Sequence, residues 1–180
     1  MAKYRRYRKY TRRSRSRWIS NLVDIGPNDF TLSTPEDWNS TEYTLVTNPD
    51  YNNQLTSNLY TIKNVEVALN FDATAGNAKW VENVQFYIMY APQNMPINQD
   101  YAIKHPENIL AMRYYGEPGV DEGSTNPSDV RAPLRIKTRL ARKLNAGDRI
   151  ILFIRAANVT TSNQIKCQYG GICRFWTKAN

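Results

Sequence analysis

The sequence has few of the residues that most often carry enzyme chemistry. Its 180 residues include one histidine, His105, and two cysteines, Cys167 and Cys173. A serine or cysteine nucleophile needs a base, and His105 stands before Pro106 in a loop-like segment with no partner motif. Two cysteines are too few for a secreted disulfide scaffold, and one histidine without a C-x-x-C pair disfavours zinc. We therefore expect no catalytic residue, no metal and no cofactor.

Phosphate-binding glycine motifs are also missing. Gly116, Gly119 and Gly123 have neither P-loop nor dinucleotide-fingerprint spacing. The acidic residues of the same segment lack the spacing of an EF-hand. We interpret Gly116–Pro127 as a solvated loop on the outside of the protein.

Long apolar runs do not occur. No window approaches the roughly 18 apolar residues of a membrane span, so we expect no membrane insertion. The basic start continues into Ser, Thr and Asn rather than an apolar stretch, which is unlike a signal peptide. We expect an intracellular protein, at least during synthesis.

Positive charge is concentrated at the N-terminus. Residues 1–17, the arm, contain nine of the 24 Lys and Arg residues and no acidic residue, which leaves 15 basic against 16 acidic residues in the rest. The basic residues of the arm are Lys3, Arg5, Arg6, Arg8, Lys9, Arg12, Arg13, Arg15 and Arg17. A basic tail on a near-neutral body is typical of proteins that bind nucleic acid.

The composition of the arm suits single-stranded nucleic acid. Like charges at this density repel, so we expect the arm to be disordered in the free chain. Each cation placed on a phosphate releases condensed counterions. Tyr4, Tyr7 and Tyr10, with Trp18 at the base, can stack on unpaired bases. A nuclear-import signal can use the same residues.

The remainder, residues 18–180, has the pattern of an all-β domain. No stretch keeps a helical apolar repeat, whereas period-2 segments separated by turn residues recur. The expected strands are Trp18–Ile25, Tyr60–Phe71, a segment from Val84 to Tyr90 ended by Pro92, Ile109–Tyr115, Leu134–Leu140, Arg149–Ala157 and Gln164–Thr177. We predict a single-domain antiparallel β-sandwich or jelly roll with almost no helix.

Local irregularities in these strands can be predicted as well. The apolar residues occupy even-numbered positions before Lys63-Asn64 and mainly odd-numbered positions after it. A β-bulge would produce this switch. Arg149–Ala157 contains five successive apolar residues, so this strand should be buried on both faces. Gly26-Pro27-Asn28-Asp29 is expected to close the first strand, and Gly170-Gly171 to interrupt the last. No strand is predicted in the polar stretch up to Asn58.

A second basic feature lies in the strand predicted at Leu134–Leu140. Arg131, Arg135, Lys137 and Arg139 share one parity, which would place them on one face. Polar side chains are usual on the exposed face of a strand, but four cations without an acid favour an electrostatic lining.

The order of these features resembles the coat proteins of circoviruses and related small circular single-stranded DNA viruses. The matching parts are the Arg, Tyr and Ser run of the arm, the strand Leu59–Val67, the segment Leu144–Ile150 before an apolar strand, and Arg174-Phe175-Trp176 in the final strand. The resemblance covers most of the chain in layout and depends on order and spacing.

This resemblance implies an eight-stranded viral jelly roll over residues 18–180 with the arm inside, on the genome. It implies a structural capsid protein that forms a homo-oligomeric icosahedral T=1 shell of about sixty copies and packages single-stranded circular DNA. It further implies nuclear import factors as partners, and locations in the virion and, during assembly, in the host nucleus.

Two other protein classes combine a basic tail with a β domain. One is the coat of a small single-stranded RNA virus or satellite virus. The other is a cellular RNA-binding or ribosomal protein. Only coats form particles, and nuclease sensitivity of the packaged nucleic acid separates DNA from RNA.

Deleting Met1–Arg17 should separate nucleic-acid binding from folding. The truncated chain should keep its β-type circular dichroism, because the arm contributes none of the apolar pattern, but should lose most of its affinity for single-stranded DNA. For the full chain, log affinity should fall with log salt with a slope of up to about 6 in magnitude. Unchanged affinity and salt slope after truncation would contradict a role for the arm.

Overall fold

The computed structural model describes residues 17–33, 38–48, 60–73, 81–115, 133–158 and 164–179. The strands are β1 Ile19–Leu32, β2 Trp38–Thr47, β3 Tyr60–Ala73, β4 Val81–Ala91, β5 Ile109–Tyr115, β6 Leu134–Lys137, β7 Arg142–Leu144, β8 Arg149–Asn158 and β9 Ile165–Ala179. Helix in these ranges is limited to α1, Tyr101–Lys104, and a 3-10 turn at Pro106–Asn108. Residues 1–16 of the arm and the predicted loop Gly116–Pro127 lie outside the described residues.

The strands form two antiparallel sheets. Sheet 1 has the order β1-β9-β3-β6, with β7 also paired to β3, and sheet 2 has the order β2-β8-β4-β5. Counting β6 and β7 as one interrupted edge strand gives two four-stranded sheets in the order of a jelly roll. The predicted all-β sandwich is confirmed.

Apolar side chains on the inner faces of the two sheets form the main core. In β3, Ile62 lies on the inner face, and Val65 returns to it because a bulge occupies Lys63–Val65. Asn64 adopts a φ of 51° there, a region that asparagine tolerates better than most residues. The predicted bulge is confirmed, and it keeps apolar residues on one face along the whole strand.

Strand β8 lies between β2 and β4 at the centre of sheet 2. Its residues Ile150–Ile154 are all fully buried. Leu152 faces the main core, whereas Ile151 and Phe153 face a second cluster under Tyr101 and Ala102. The prediction of a strand buried on both faces is confirmed, because the segment that contains α1 covers the outer face.

The predicted end of the first strand at Gly26-Pro27-Asn28-Asp29 is wrong. β1 continues to Leu32, with a register shift between Ile25 and Asn28. Proline lacks a backbone donor, but β1 is an edge strand, where a bulge accommodates it. Phe30 and Leu32 then return to the core.

A ten-residue strand, β2, occupies part of the stretch that showed no strand pattern. Only Leu45 among its side chains is buried in the main core. Because β2 is an edge strand with Thr, Ser and Asn at most other positions, its apolar alternation is too weak to identify from sequence.

The predicted interruption of the last strand at Gly170-Gly171 is also wrong. β9 runs without a break from Ile165 to Ala179 between β1 and β3. A Cβ on Gly171 would lie 2.0 Å from the carbonyl oxygen of Ala68. The glycine is therefore needed for close approach of β3 rather than for a turn.

The predicted strand Leu134–Leu140 ends earlier, at Lys137. β6 pairs with Glu66–Leu69, and β7 pairs with Tyr60–Ile62, so the two short strands flank the bulge in β3. Between them, the Thr138 amide donates to the Val65 carbonyl at 2.9 Å. The bulge displaces the backbone groups of β3 that would pair with the edge strand. The edge strand is therefore divided into β6 and β7.

Gly171→Ala should destabilise the protein strongly, because its Cβ would collide with the β3 backbone. We expect a loss of about 1–3 kcal/mol or more in the free energy of unfolding, measured by urea denaturation. Gly26→Ala is the matched control, since nothing lies within 4 Å of a Cβ at that position. Equal stabilities of the two variants would contradict the close approach of β3 and β9.

Candidate nucleic-acid interface

The arm joins the folded body at one end of sheet 1. Arg17 is exposed, and Trp18 lies directly before β1. β1 starts beside the end of β9, with Ile19 opposite Thr177. The end of β9 in turn lies beside the start of β3, with Lys178 opposite Thr61. The side chains on the outward face of these strand ends are therefore the first that a ligand bound to the arm would meet.

Basic and aromatic side chains cover this outward face. Trp176 lies between Ser20 of β1 and Lys63 of β3. Lys178 and Lys143 flank Thr61. We call the following set the basic–aromatic patch: Trp18, Lys63, Arg135, Lys137, Lys143, Arg174, Trp176 and Lys178.

The register also places the rest of the patch in one continuous area. Arg174 lies beside Glu66, whose other neighbour is Lys137. Arg135 lies two residues further along β6, opposite Ala68. Antiparallel neighbours are about 5 Å apart, so the rows across β9, β3 and the β6–β7 edge form one surface.

The patch carries a strong excess of positive charge. It has six cations, and Glu66 is the acidic side chain that interrupts it. Among the described residues, no carboxylate forms an ion pair with any of these six cations. Exposed cations that share a face and lack counter-ions attract a polyanion through counterion release.

Two cation–π contacts organise the aromatic members of the patch. The Lys63 ammonium lies 4.0 Å from the centre of the Trp18 ring, and the Arg174 guanidinium lies 5.0 Å from that of Trp176. Such contacts hold a cation against an indole face. Each pair therefore combines an aromatic ring with a positive charge, the two kinds of group that bind unpaired bases and phosphates.

Sheet 1 has the opposite charge balance at its other end. Asp24, Asp29 and Asp72 occupy the outward face away from the arm. Asp24 and Asp72 line an open cavity of about 420 Å³ that includes Gly26 and Gly170. With Lys166 opposite Thr31 as an exposed cation at this end, the net charge of this lysine and the three aspartates is negative and disfavours a nucleic-acid backbone there.

The structure describes some of the residues that were predicted from the sequence to bind nucleic acid, and it places only part of these in the patch. Trp18 lies in the patch beside the exposed Arg17, and Arg135 and Lys137 extend the patch along the sheet edge. Arg139 is exposed but lies beyond the end of β6. The prediction that it belongs to the same strand as Arg135 and Lys137 is therefore wrong. Arg131 and the arm residues Lys3, Tyr4, Arg5, Arg6, Tyr7, Arg8, Lys9, Tyr10, Arg12, Arg13 and Arg15 lie outside the described residues.

Five members of the patch were not identified from the sequence. They are Lys63, Lys143, Arg174, Trp176 and Lys178. Each alternates with a buried neighbour in its own strand, which does predict an outward direction. The sequence does not contain the cross-strand register, however, and only the register brings these five side chains together.

The histidine and the two cysteines of the sequence all lie in the described residues. His105 contacts Glu107 at 3.2 Å and packs on the Tyr101 ring. Cys167 and Cys173 point to the interior from one continuous strand, and burial raises the pKa of each thiol to about 12. Both thiols are therefore protonated near neutral pH and are poor nucleophiles.

In the part of the chain that the structure describes, no group of three or more His, Cys, Asp or Glu side chains is arranged to hold a metal ion. No helix in the described ranges has the length and apolar character needed to cross a bilayer.

No protein-family model matches the sequence, and no curated protein matches it significantly. Solved structures give remote similarities. Turnip yellow mosaic virus matches with a TM-score of 0.39 and 11% identity over 92% of this chain and 94% of that chain. Desmodium yellow mottle tymovirus matches with 0.34 and 11% over 90% of each. Infectious bursal disease virus, Gx strain, matches with 0.37 and 9% over 89% of this chain and 32% of that chain.

Replacing Lys63 and Arg174 together by Gln should weaken binding to single-stranded DNA and lower its salt slope by about 1.4, or 0.7 for each phosphate that is no longer neutralised. Trp176→Leu should weaken binding with little change in slope, since stacking releases no counterions. Fluorescence anisotropy over a salt series measures both effects. Lys104→Gln is the control, because Lys104 is an exposed cation of α1 that pairs with Asp100. An equal effect of Lys104→Gln would show that the patch has no special role.

Proposed function

We propose that this chain is a viral capsid protein, a structural subunit that self-assembles into an icosahedral shell and packages a single-stranded genome. The observation that carries the proposal is the position of positive charge. The net positive charge of the chain resides in residues 1–17, and this arm joins a jelly-roll body at its basic–aromatic patch. A subunit of this kind has one polyanion-binding side and a remaining surface free for contacts between copies.

Binding and assembly would be coupled electrostatically. A shell of about sixty copies would bring about 540 arm charges into one interior, and these charges repel one another until a polyanion neutralises them. Nucleic acid therefore favours assembly, and assembly in turn concentrates the arms on the nucleic acid. The patch extends the interior charge onto the ordered body of each subunit.

The proposed genome is single-stranded circular DNA. Trp18 and Trp176, together with the three tyrosines of the arm, favour unpaired bases over duplex. The resemblance of the sequence to circovirus-like coats favours DNA over RNA. Packaging of such a genome would place the protein in the virion and, during assembly, in the host nucleus, with import factors that recognise the arm.

Negative-stain electron microscopy of the purified full-length protein tests the capsid proposal. We expect closed particles of uniform size that form more readily with single-stranded DNA and protect it from nuclease. Fragments of single-stranded RNA of equal length serve as the matched comparison. Particles that select RNA would indicate an RNA-virus coat. A monomer that binds nucleic acid without forming particles would instead indicate a cellular nucleic-acid-binding protein and overturn the proposal.

A further inference from the structure

The segment around α1 covers part of the outward face of sheet 2. Tyr87, Met89, Ile151 and Phe153 pack under Tyr101 and Ala102. Towards the end of β8 this cover stops, and Arg155 follows Phe153 on the same face. The row across the sheet at this level is Ser40, Arg155, Gln85 and Tyr114.

Arg155 is a buried cation that pairs with no carboxylate in the part of the chain that the structure describes. The residue is only 6% exposed, and its guanidinium lies 3.9 Å from the centre of the Trp38 ring. Its Nε atom is buried and has no hydrogen-bond partner. No carboxylate among the described residues forms an ion pair with Arg155.

The residues directly opposite Arg155, Ser40 in β2 and Gln85 in β4, are polar rather than acidic, and the acidic residue diagonal to it in β2, Glu42, pairs with Arg149 at 3.4 Å. Gln85 accepts a hydrogen bond at 2.7 Å from the Tyr87 hydroxyl, which orients the amide. Met112 and Tyr114 of the edge strand β5 are exposed at the rim of the same face, at 59% and 53%. Trp, Tyr, Met and Arg are the residues most enriched at the centres of protein interfaces.

Burial of an unpaired charge opposes folding. A guanidinium withdrawn from water loses its hydration, and an aromatic face replaces only part of it. An apolar or neutral side chain of similar size would be more favourable in the isolated subunit. Arg155 therefore contributes most if a carboxylate reaches it from outside the subunit.

The position of Arg155 argues against the packaged genome as the source of that anion. Arg155 lies on the outward face of sheet 2, on the opposite side of the sandwich from the basic–aromatic patch. A strand bound on the patch lies against sheet 1, whereas Arg155 belongs to sheet 2. A second copy can supply the anion, because the chain from Trp18 onward contains 16 acidic residues.

We infer that the surface formed by Trp38, Ser40, Gln85, Met112, Tyr114 and Arg155 is a contact between copies of this chain, in which a carboxylate of the second copy pairs with Arg155. This inference rests on the proposed self-assembly. A planar guanidinium group, with its fork of N–H donors, can form two parallel hydrogen bonds to one carboxylate. Met112 and Tyr114 would exclude water around this ion pair.

Arg155→Gln in the full-length chain tests the inference. Thermal unfolding of the unassembled subunit should occur at the wild-type Tm or above it, because the isolated subunit loses no ion pair. The protein concentration at half assembly, measured by sedimentation velocity with single-stranded DNA present, should rise about tenfold or more. Arg155→Lys should assemble at an intermediate concentration, since it keeps the charge without the fork.

Arg113→Gln is the matched control. Arg113 is an exposed cation of β5 that points away from the side on which Met112 and Tyr114 lie, so its removal should leave assembly unchanged. Met112→Lys changes the exposed rim without touching the buried guanidinium, and it should weaken assembly even if Arg155→Gln fails to fold. Unchanged assembly in Met112→Lys would then overturn the inference.

The remaining outcomes are distinguishable. Wild-type assembly by Arg155→Gln would overturn the inference, as would a lower Tm with unchanged assembly, which indicates a role in folding alone. Reduced DNA affinity with unchanged assembly would identify a phosphate as the anion and exclude the second copy. Absence of particles from the wild-type chain would overturn the proposed function itself, whereas particles from both proteins overturn only this contact.

Discussion

The bulge at Lys63–Val65 is the constraint on which much of sheet 1 depends. Without the extra residue, Ile62 and Val65 would face opposite sides, and half of β3 would expose its apolar residues. The left-handed backbone of Asn64 corrects the parity, and the break in the ladder divides the neighbouring edge into β6 and β7. The same bulge leaves Lys63 on the outward face, where its ammonium meets Trp18. One local irregularity thus supports both the core and the basic–aromatic patch.

The outward faces of the two sheets differ in the residues that they carry. Sheet 1 exposes polar and charged residues, which divide into a basic end near the arm and an acidic end away from it. Sheet 2 instead has a central strand that is apolar on both sides, so part of its outward face must be covered by the segment around α1. Beyond that segment the same face contains Arg155, which is only 6% exposed and forms no ion pair with a carboxylate of the described residues. This asymmetry fits the proposed function, in which nucleic acid lies on one side of the subunit and neighbouring copies surround it.

Several features could be predicted from the sequence because each depends on a short segment. The end of β4 before Pro92, the limits of β5 and the burial of β8 follow from local patterns of apolar and turn residues. The wrong or missing strand predictions have a common cause, because the sequence does not show which strands pair with each other. Gly170-Gly171 looked like a turn, although the glycine at 171 permits close approach of β3. β2 went undetected because an edge strand buries only a few side chains and needs little apolar alternation.

By itself, the sequence determined the concentration of positive charge in the arm, the all-β character of the body and the outward direction of alternate strand residues. These properties follow from composition and from the period-2 geometry of a strand, which is local. Only the tertiary structure decided that Lys63, Arg174 and Trp176 share one surface and that Arg155 is buried with no ion pair to a described carboxylate. Such groupings depend on which strands pair and in what register, and residues more than a hundred positions apart become neighbours only through that pairing.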